Sequence, residues 1–268
     1  MRILVVGATG NVGRHVVDHL VVAGVDVRAV SRRPADAGLP VEVVPGDLDH
    51  PESLTAALAD VDRMYLLAAG NTRHVVDLAK RAGVRRVVLL SSLSAGMEGF
   101  PGGDHHRAAE LAVEDSGLEW THVRPGMFLT NLLPWAGQIR DTGVVHEPHA
   151  DARQAPVHEE DIAAVAATAL LFDHHVGKAL PLTGPESLTK PDLVAAIGKA
   201  LGRPLRFEQV SPDRWDDIPP RYIADIMLSI WARAERTPDP VLTTVQDVLG
   251  RPARTAADWA ADHVADFR

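Results

Sequence analysis

The stretch MRILVVGATGNVGRHVVDHL constrains this chain more than any other. An apolar run, Ile3–Val6, meets a turn with glycine at positions 7, 10 and 13. A helical pattern follows, with Val12, His15, Val16, His19 and Leu20 at helical spacing. A strand that ends in such a turn and runs straight into a helix opens a βαβ unit. Gly7 permits the tight turn, Gly10 lets an anion approach the backbone, and Gly13 lets the helix pack closely. The free N–H groups and the positive helix end can then hold phosphate oxygens. A glycine turn without a ligand is the plainer alternative. The strand before it, the helix after it and a second strand at the right distance favour a dinucleotide.

The end of that second strand, VDVRAVSRRP, indicates which dinucleotide. An acid there would hydrogen-bond a ribose 2′-hydroxyl and repel a 2′-phosphate. The chain instead places Ser31, Arg32 and Arg33 there. A hydroxyl and two guanidinium groups suit a phosphate dianion, so NADP(H) is expected; two solvated surface arginines are the alternative. GDLDHPESL places Asp47 where a carboxylate could meet an adenine amino group, or where it could merely shape a strand-end turn.

Further apolar runs, Val27–Val30, Val41–Val44, Met64–Leu67, Val87–Leu90 and Trp120–Val123, are separated by helix-length segments such as 11–23 and 73–83. Strands alternating with helices predict an α/β fold, a Rossmann-type doubly wound parallel sheet. After about residue 130 strand signals thin to Ala179–Thr183 and Leu205–Val210. Helices are predicted over 159–172, 190–201, 238–249 and 255–265, with Thr189 as a cap and Gly202 as a stop. The expected organisation is an NADP-binding Rossmann body over 1–130 and a smaller, mostly helical, substrate-covering lobe over 131–268. Segments at about 150–185 return to the body, and the default ligand site is a cleft between the two.

Apolar residues make up 46% of the chain, enough for a sizeable core. The formal charge is −9 with no basic stripe, which argues against nucleic acid as a partner. Cysteine is absent, so disulfides, thiolate catalysis and cysteine metal sites are excluded. The 13 histidines show no metal-ligand spacing, and the adjacent pairs His105/His106 and His174/His175 are expected to point to opposite sides. No metal is therefore expected. No apolar stretch is long enough to span a membrane, and the opening residues read as a strand rather than a signal peptide. A cytoplasmic protein is expected.

GATGNVGRHV, SRRP, GDLDHPESL, GVRRVVLLSS, SGLEWTHVRPGMFLTN and PVHEEDIA occur in this order and at this spacing. Together they make the chain resemble the NmrA-like atypical short-chain dehydrogenase/reductases, most of all their NAD(P)H:quinone oxidoreductase and azoreductase branch. The later segment LTGPESLTKPDLVAAIGKALGRPLRFEQVSPD fits the same branch. The resemblance implies a pyrophosphate loop at Gly7, Thr9, Gly10, Asn11, Val12 and Gly13. It implies a 2′-phosphate contact at Arg32, beside Ser31 and Arg33, and adenine contacts at Asp47 and Leu48. Ala68 and Ala69 would pass the adenosine half. Ser91 and Ser92 would end near the nicotinamide, and Pro125, Gly126 and Phe128 would line the nicotinamide and substrate side.

Ordinary short-chain dehydrogenases use Tyr-x-x-x-Lys, in which the lysine lowers the tyrosine pKa. Here Tyr65 and Tyr222 are followed four residues later by Ala69 and Ile226, and Tyr65 reads as core. The resemblance places His106 where related reductases carry a lysine. Glu110, four residues on, would share its helix face and could orient or charge the imidazole. His106 then positions nicotinamide or substrate, or acts as a general acid, or is merely solvated; His105 reads as exposed. Trp135, Trp215, Trp231 and Trp259 read as packing residues, with Trp135 near enough to the sixth strand to flank a substrate. Phe128, Trp135, Met227 and Trp231 imply a flat, apolar small molecule, with NLLPWAGQIR and SPDRWDDIPPRYIADIMLSIW lining its cleft. The implied function is NADPH-dependent reduction of a quinone or similar conjugated molecule. An NADP(H)-sensing regulator and a non-redox cyclase or isomerase are the alternatives, and a homodimer stays open.

Overall fold

The computed structural model describes residues 1–100, 102–215 and 221–268. Residues 216–220 of the expected cleft segment, and the side chain of Tyr222, lie outside the described residues. In chain order the elements are β1 (Arg2–Val5), α1 (Gly13–Val22), β2 (Asp26–Ser31), β3 (Glu42–Pro45), β4 (Arg63–Leu67), α2 (Thr72–Arg81), β5 (Arg86–Leu90), α3 (Gly103–Glu114) and β6 (Glu119–Pro125). They continue with α4 (Ala136–Asp141), β7 (Val144–Glu147), α5 (Glu159–Leu171), β8 (Lys178–Leu182), α6 (Lys190–Leu201), β9 (Arg206–Gln209), α7 (Arg221–Arg236), α8 (Thr244–Leu249) and α9 (Ala256–Asp262). Two compact units result. One comprises Met1–Pro125, Glu159–Leu182 and Asp247–Gly250, and the other Gly126–His158, Thr183–Gln246 and Arg251–Arg268.

The first unit is built on a seven-stranded parallel sheet in the order β3-β2-β1-β4-β5-β6-β8. The doubly wound Rossmann-type sheet is thus present as expected. The order reverses between β1 and β4. In open α/β sheets such a switch point opens a crevice at the carboxyl ends of the strands. Met64, Tyr65 and Leu66 of β4 and Val87, Val88 and Leu89 of β5 have no exposed surface. These strands are covered on both faces, so their apolar residues run continuously instead of alternating. α2 and α3 pack together on one face, where Val75, Val76 and Val113 join Leu54, Leu58 and Met64. α1 and α5 pack against each other, and α5 lies on β4, β5 and β6. α5 is buried from Ile162 to Ala167, which its alanines allow by letting backbones approach closely.

The second unit carries a parallel pair, β7 and β9, whose first strand has no signal in the sequence analysis. Its larger core joins Leu129, Leu132, Trp135 and Ile139 to Leu193 and Ile197 of α6, to Trp259 of α9 and to Phe267 beyond it. α6 starts where expected, at a capping box. Thr189 accepts from the Asp192 N–H, and the Asp192 carboxylate accepts from the Thr189 N–H. It stops at Gly202, at φ 68°. The helix expected over 238–249 is only Thr244–Leu249. Pro238 and Pro240 flank Asp239, and a proline disfavours helical backbone at the preceding residue. Trp135 and Trp231 are 3% and 5% exposed, so neither offers a face to a ligand within this unit. Trp135 Nε1 donates to Glu147 at 2.7 Å, and Trp231 packs edge-on against Trp215.

Between them sits Lys190. Its ammonium donates to Glu147 and to the Pro148 carbonyl, both at 2.8 Å, and lies 3.2 Å from the centre of the Trp231 ring. Burial outweighs the Glu147 attraction and lowers its pKa from 10.5 to about 8. Between those two values the unfolded lysine holds a proton that the folded one has released. Stability therefore rises with pH across this window. In urea titrations at about pH 7.5 and about pH 9.5, wild type should gain about 2 kcal/mol relative to Lys190→Met. Parallel stability curves for the two proteins would show that Lys190 has no shifted pKa.

Candidate active site

The carboxyl ends of β1 to β6 collect most of the residues expected to bind a dinucleotide. Gly7 stands at φ +71°, and a methyl on it would come within 2.5 Å of the Leu67 side chain. Gly13 is tighter: a methyl there would sit 2.1 Å from the Gly7 carbonyl oxygen. The first turn of α1 is therefore seated directly on the turn that precedes it. Gly10 differs, since a methyl would meet only that same oxygen at 3.3 Å. Thr9, Gly10 and Asn11 are exposed, and Val12 is buried.

The start of α1 fits a bound phosphate group. Val12 precedes the helix, no side chain caps it, and the first turn holds no acid. By contrast α2, α6 and α9 are capped by Asn71, Thr189 and Thr255. The leading N–H groups of α1 and its positive end are left for an anion from outside the chain.

The next loops hold the adenosine candidates. Ser31 is buried, and its hydroxyl accepts the Arg33 N–H at 3.1 Å, which shapes the turn after β2. Arg32 and Arg33 are exposed. Asp47 accepts the Asp49 N–H at 3.1 Å. That bond holds its carboxyl below the usual range, with smaller contributions from His50 and Arg32. Asp47 therefore both shapes the turn and lies near Arg32. Gly70, at φ +60°, passes so close to Leu48 that a methyl would sit 2.4 Å from its carbonyl oxygen. The loops after β3 and β4, carrying Asp47–Leu48 and Ala68–Ala69, thus meet. His105, although exposed, joins them through Nε2 at 2.9 Å from the Ala68 carbonyl.

The nicotinamide candidates require corrections. Glu110 does not hold His106. Its carboxylate is fully buried and accepts from Ser91 Oγ, Arg107 and Arg124. Those groups have committed it away from the imidazole. His106 is half-buried, and its Nδ1 is buried without a hydrogen-bond partner. Burial, reinforced by neighbouring His105 and only partly opposed by the Glu110 charge, lowers its pKa. The two imidazoles do not diverge; their centres are 5.6 Å apart, edge to face. His174 and His175 are closer still, at 4.2 Å. Ser91 is buried and spends its hydroxyl on Glu110, leaving its backbone as the part that a cofactor could meet. Pro125 ends β6. Gly126 and Phe128 belong to the second unit, where Phe128 pairs with Val157. Arg124 was not among the residues expected from the sequence. The available signal was a charged residue inside an apolar strand.

The model of the NAD(P)H-binding family matches residues 7–173. A (4-alkanoyl-5-oxo-2,5-dihydrofuran-3-yl)methyl phosphate reductase of Streptomyces griseus subsp. griseus is 39% identical, with 99% of each chain covered. An NAD(P)H azoreductase of Xenophilus azovorans is 35% identical over 99% of each chain. Among solved structures, an NADPH-dependent quinone oxidoreductase of Escherichia coli complexed with NADPH superimposes with a TM-score of 0.83. That pair shares 26% identity and covers 98% of this chain and 99% of the other. The chain belongs to the NAD(P)H-binding family, and the resemblance to the NmrA-like reductases stands. It is an NAD(P)H-dependent oxidoreductase. No helix among the described residues is long and apolar enough to cross a membrane.

Two glycine substitutions separate folding from binding. Gly13→Ala forces a methyl into backbone and should cost about 2 kcal/mol of stability, seen as a lower unfolding temperature. Gly10→Ala should leave unfolding nearly unchanged while NADPH affinity falls about tenfold or more. If Gly10→Ala lowers the unfolding temperature and leaves affinity per folded molecule intact, the turn serves folding alone.

Proposed function

We propose that this enzyme uses NADPH to reduce a flat, conjugated small molecule: a quinone, an azo compound or an α,β-unsaturated carbonyl. The observation that carries the reading is the state of His106. Its imidazole is held toward neutrality by burial, and Glu110 is engaged elsewhere. A neutral imidazole is a poor proton source but a good hydrogen-bond donor. When bound, NADPH supplies a hydride. The acceptor should therefore be one whose reduced oxygen or nitrogen can be protonated by water. Quinones and azo groups meet that condition, and the names of two relatives specify such acceptors. The name of the Streptomyces relative describes a ring C=C conjugated to a carbonyl, which also accepts hydride.

In this reading the Gly7–Gly13 turn and the start of α1 hold the pyrophosphate. Arg32, with Ser31 and Arg33 around it, holds the 2′-phosphate, while Asp47, Leu48, Ala68 and Ala69 border the adenosine. Ser91 and Pro125 border the nicotinamide, and His106 donates a hydrogen bond to its ribose or to the acceptor. The test is NADPH oxidation with 1,4-naphthoquinone, methyl red and a butenolide as acceptors. If none accelerates oxidation, the reading fails.

Cofactor choice gives a second test. With no acid at the end of β2, NADPH should bind more tightly than NADH. Arg32→Ala should cost about 1.5–3 kcal/mol of that preference, roughly ten- to hundredfold. Equal affinities in wild type would remove the role given to Arg32. For His106, substitution by Gln should keep most turnover, because an amide still donates from a similar place. His106→Ala should raise KM more than it lowers kcat. Loss of about 10²–10⁴ in kcat with both substitutions, and of one limb of the pH profile, would make His106 the acid instead.

A further inference from the structure

Glu110 has no exposed surface, yet it carries four hydrogen bonds. Ser91, just past β5, donates to Oε1 at 2.7 Å. Arg124, on β6, donates from Nε to Oε1 at 2.8 Å and from Nη2 to Oε2 at 2.7 Å. Arg107, within α3, adds a fourth bond to Oε2 at 3.1 Å. One carboxylate thus ties the ends of two neighbouring strands to the middle of α3. The strands are joined there too, by the Ser91 N–H donating to the Val123 carbonyl at 2.8 Å.

The network continues and is electrically balanced. Arg107 donates to Glu114, and His122 lies 3.1 Å from Glu114. Burial lowers the pKa of His122, which stacks on Trp120. Two guanidiniums therefore face two carboxylates. Glu110, Glu114 and His122 do bring ligand atoms within 4.8 Å of one another. Both carboxylates already accept from guanidiniums, which hold the place a cation would take.

This geometry fixes angle as well as distance, because a guanidinium fork grips a carboxylate in one plane. Arg124 immediately precedes Pro125, and His106 lies one helical turn before Glu110. The third guanidinium nitrogen, Nη1, lies against the loop from β5 to α3; a methyl on Gly96 would approach it to 2.8 Å. All three chain segments assigned to the nicotinamide in this unit are held by one pair of side chains.

We propose that Glu110 and Arg124 are positioning residues for hydride transfer. They hold Ser91, Pro125 and the turn of α3 carrying His106 in a single register against the nicotinamide. The inference rests on the NADPH-dependent reductase reading above. It adds a role for two residues that need touch neither cofactor nor acceptor.

Removing one partner would strand a buried charge, whereas replacing both with apolar residues is often tolerated. The test therefore uses the full-length Glu110→Met/Arg124→Met double variant, with Arg124→Lys beside it. The readouts are unfolding temperature, NADPH affinity, kcat with 1,4-naphthoquinone, and the fluorescence of bound NADPH. In the double variant, stability and NADPH affinity should stay near wild type. Its kcat should fall roughly ten- to hundredfold, and its bound-nicotinamide emission should change. Arg124→Lys keeps the charge without the fork, so it should remain folded and lose part of kcat. A folded double variant with wild-type kcat and emission would overturn the proposal. Should the double variant not fold, wild-type kcat and emission in Arg124→Lys would overturn it equally. If wild type oxidises no NADPH with any acceptor, the reductase reading fails by itself. The emission of bound NADPH then decides the positioning role alone.

Discussion

The first unit depends on how closely α1 approaches the turn that precedes it. Its first residue sits on the carbonyl of Gly7 with no room for a methyl group. That contact brings the start of the helix to the end of β1, beside the reversal in strand order. It also brings uncapped N–H groups there. Close packing and an uncapped helix start thus occur together at this turn. The side-chain volume that would have separated helix from turn, and the side-chain oxygen that would have capped the helix, are both missing.

Charge is distributed across this sheet with similar economy. Arg86 is 1% exposed, and its guanidinium is taken up by Glu119, Asp173 and two backbone carbonyls. Arg28 is held by Glu42 and by carbonyls of Ala57 and Ala59. Arg124 is occupied by Glu110. Arg32 and Arg33 remain exposed at the end of β2, and Arg33 has only a loose 3.9 Å approach to Asp36. A dianionic phosphate would find its counter-charge there rather than in the sheet interior. Glu110 follows the same logic. Burial alone would raise its pKa, but the bonds from Arg124 and Ser91 bring it below the ordinary value. It remains a carboxylate, and so remains a fixed tether.

The second unit relies on caps and aromatic packing. Capping boxes at Thr189 and Thr255 start α6 and α9, whose apolar faces meet around Trp259. Its tryptophans serve this interior. Trp135 gives its N–H to Glu147, and Glu147 in turn satisfies Lys190 beneath Trp231. Trp135 finds an acceptor for its N–H in this way, whereas the indole nitrogens of Trp215 and Trp259 are buried without one among the described residues. The sequence shows an aromatic residue near a strand end but not whether such a partner waits inside.

Local rules made much of the molecule legible. The Gly7–Gly13 turn, the continuous apolar strands, the Thr189 cap and the Gly202 stop each depend on neighbours in the chain. The acid-free end of β2 is likewise a local feature. The short strand β7 gave no such signal, because its pairing with β9 is a long-range contact. The partner of Glu110 was hidden for a related reason. Spacing of four residues put His106 and Glu110 on one helix face, but spacing along a helix cannot show what the sheet beneath it offers. Arg124 comes from β6 and Ser91 from just past β5, and a buried carboxylate takes a guanidinium and a hydroxyl in preference to a neutral imidazole. The sequence by itself determined the fold class and the glycine turn between β1 and α1, since both follow from local backbone chemistry. Only the tertiary structure decided which side chains are committed to Glu110, because those pairings join residues that the chain keeps apart.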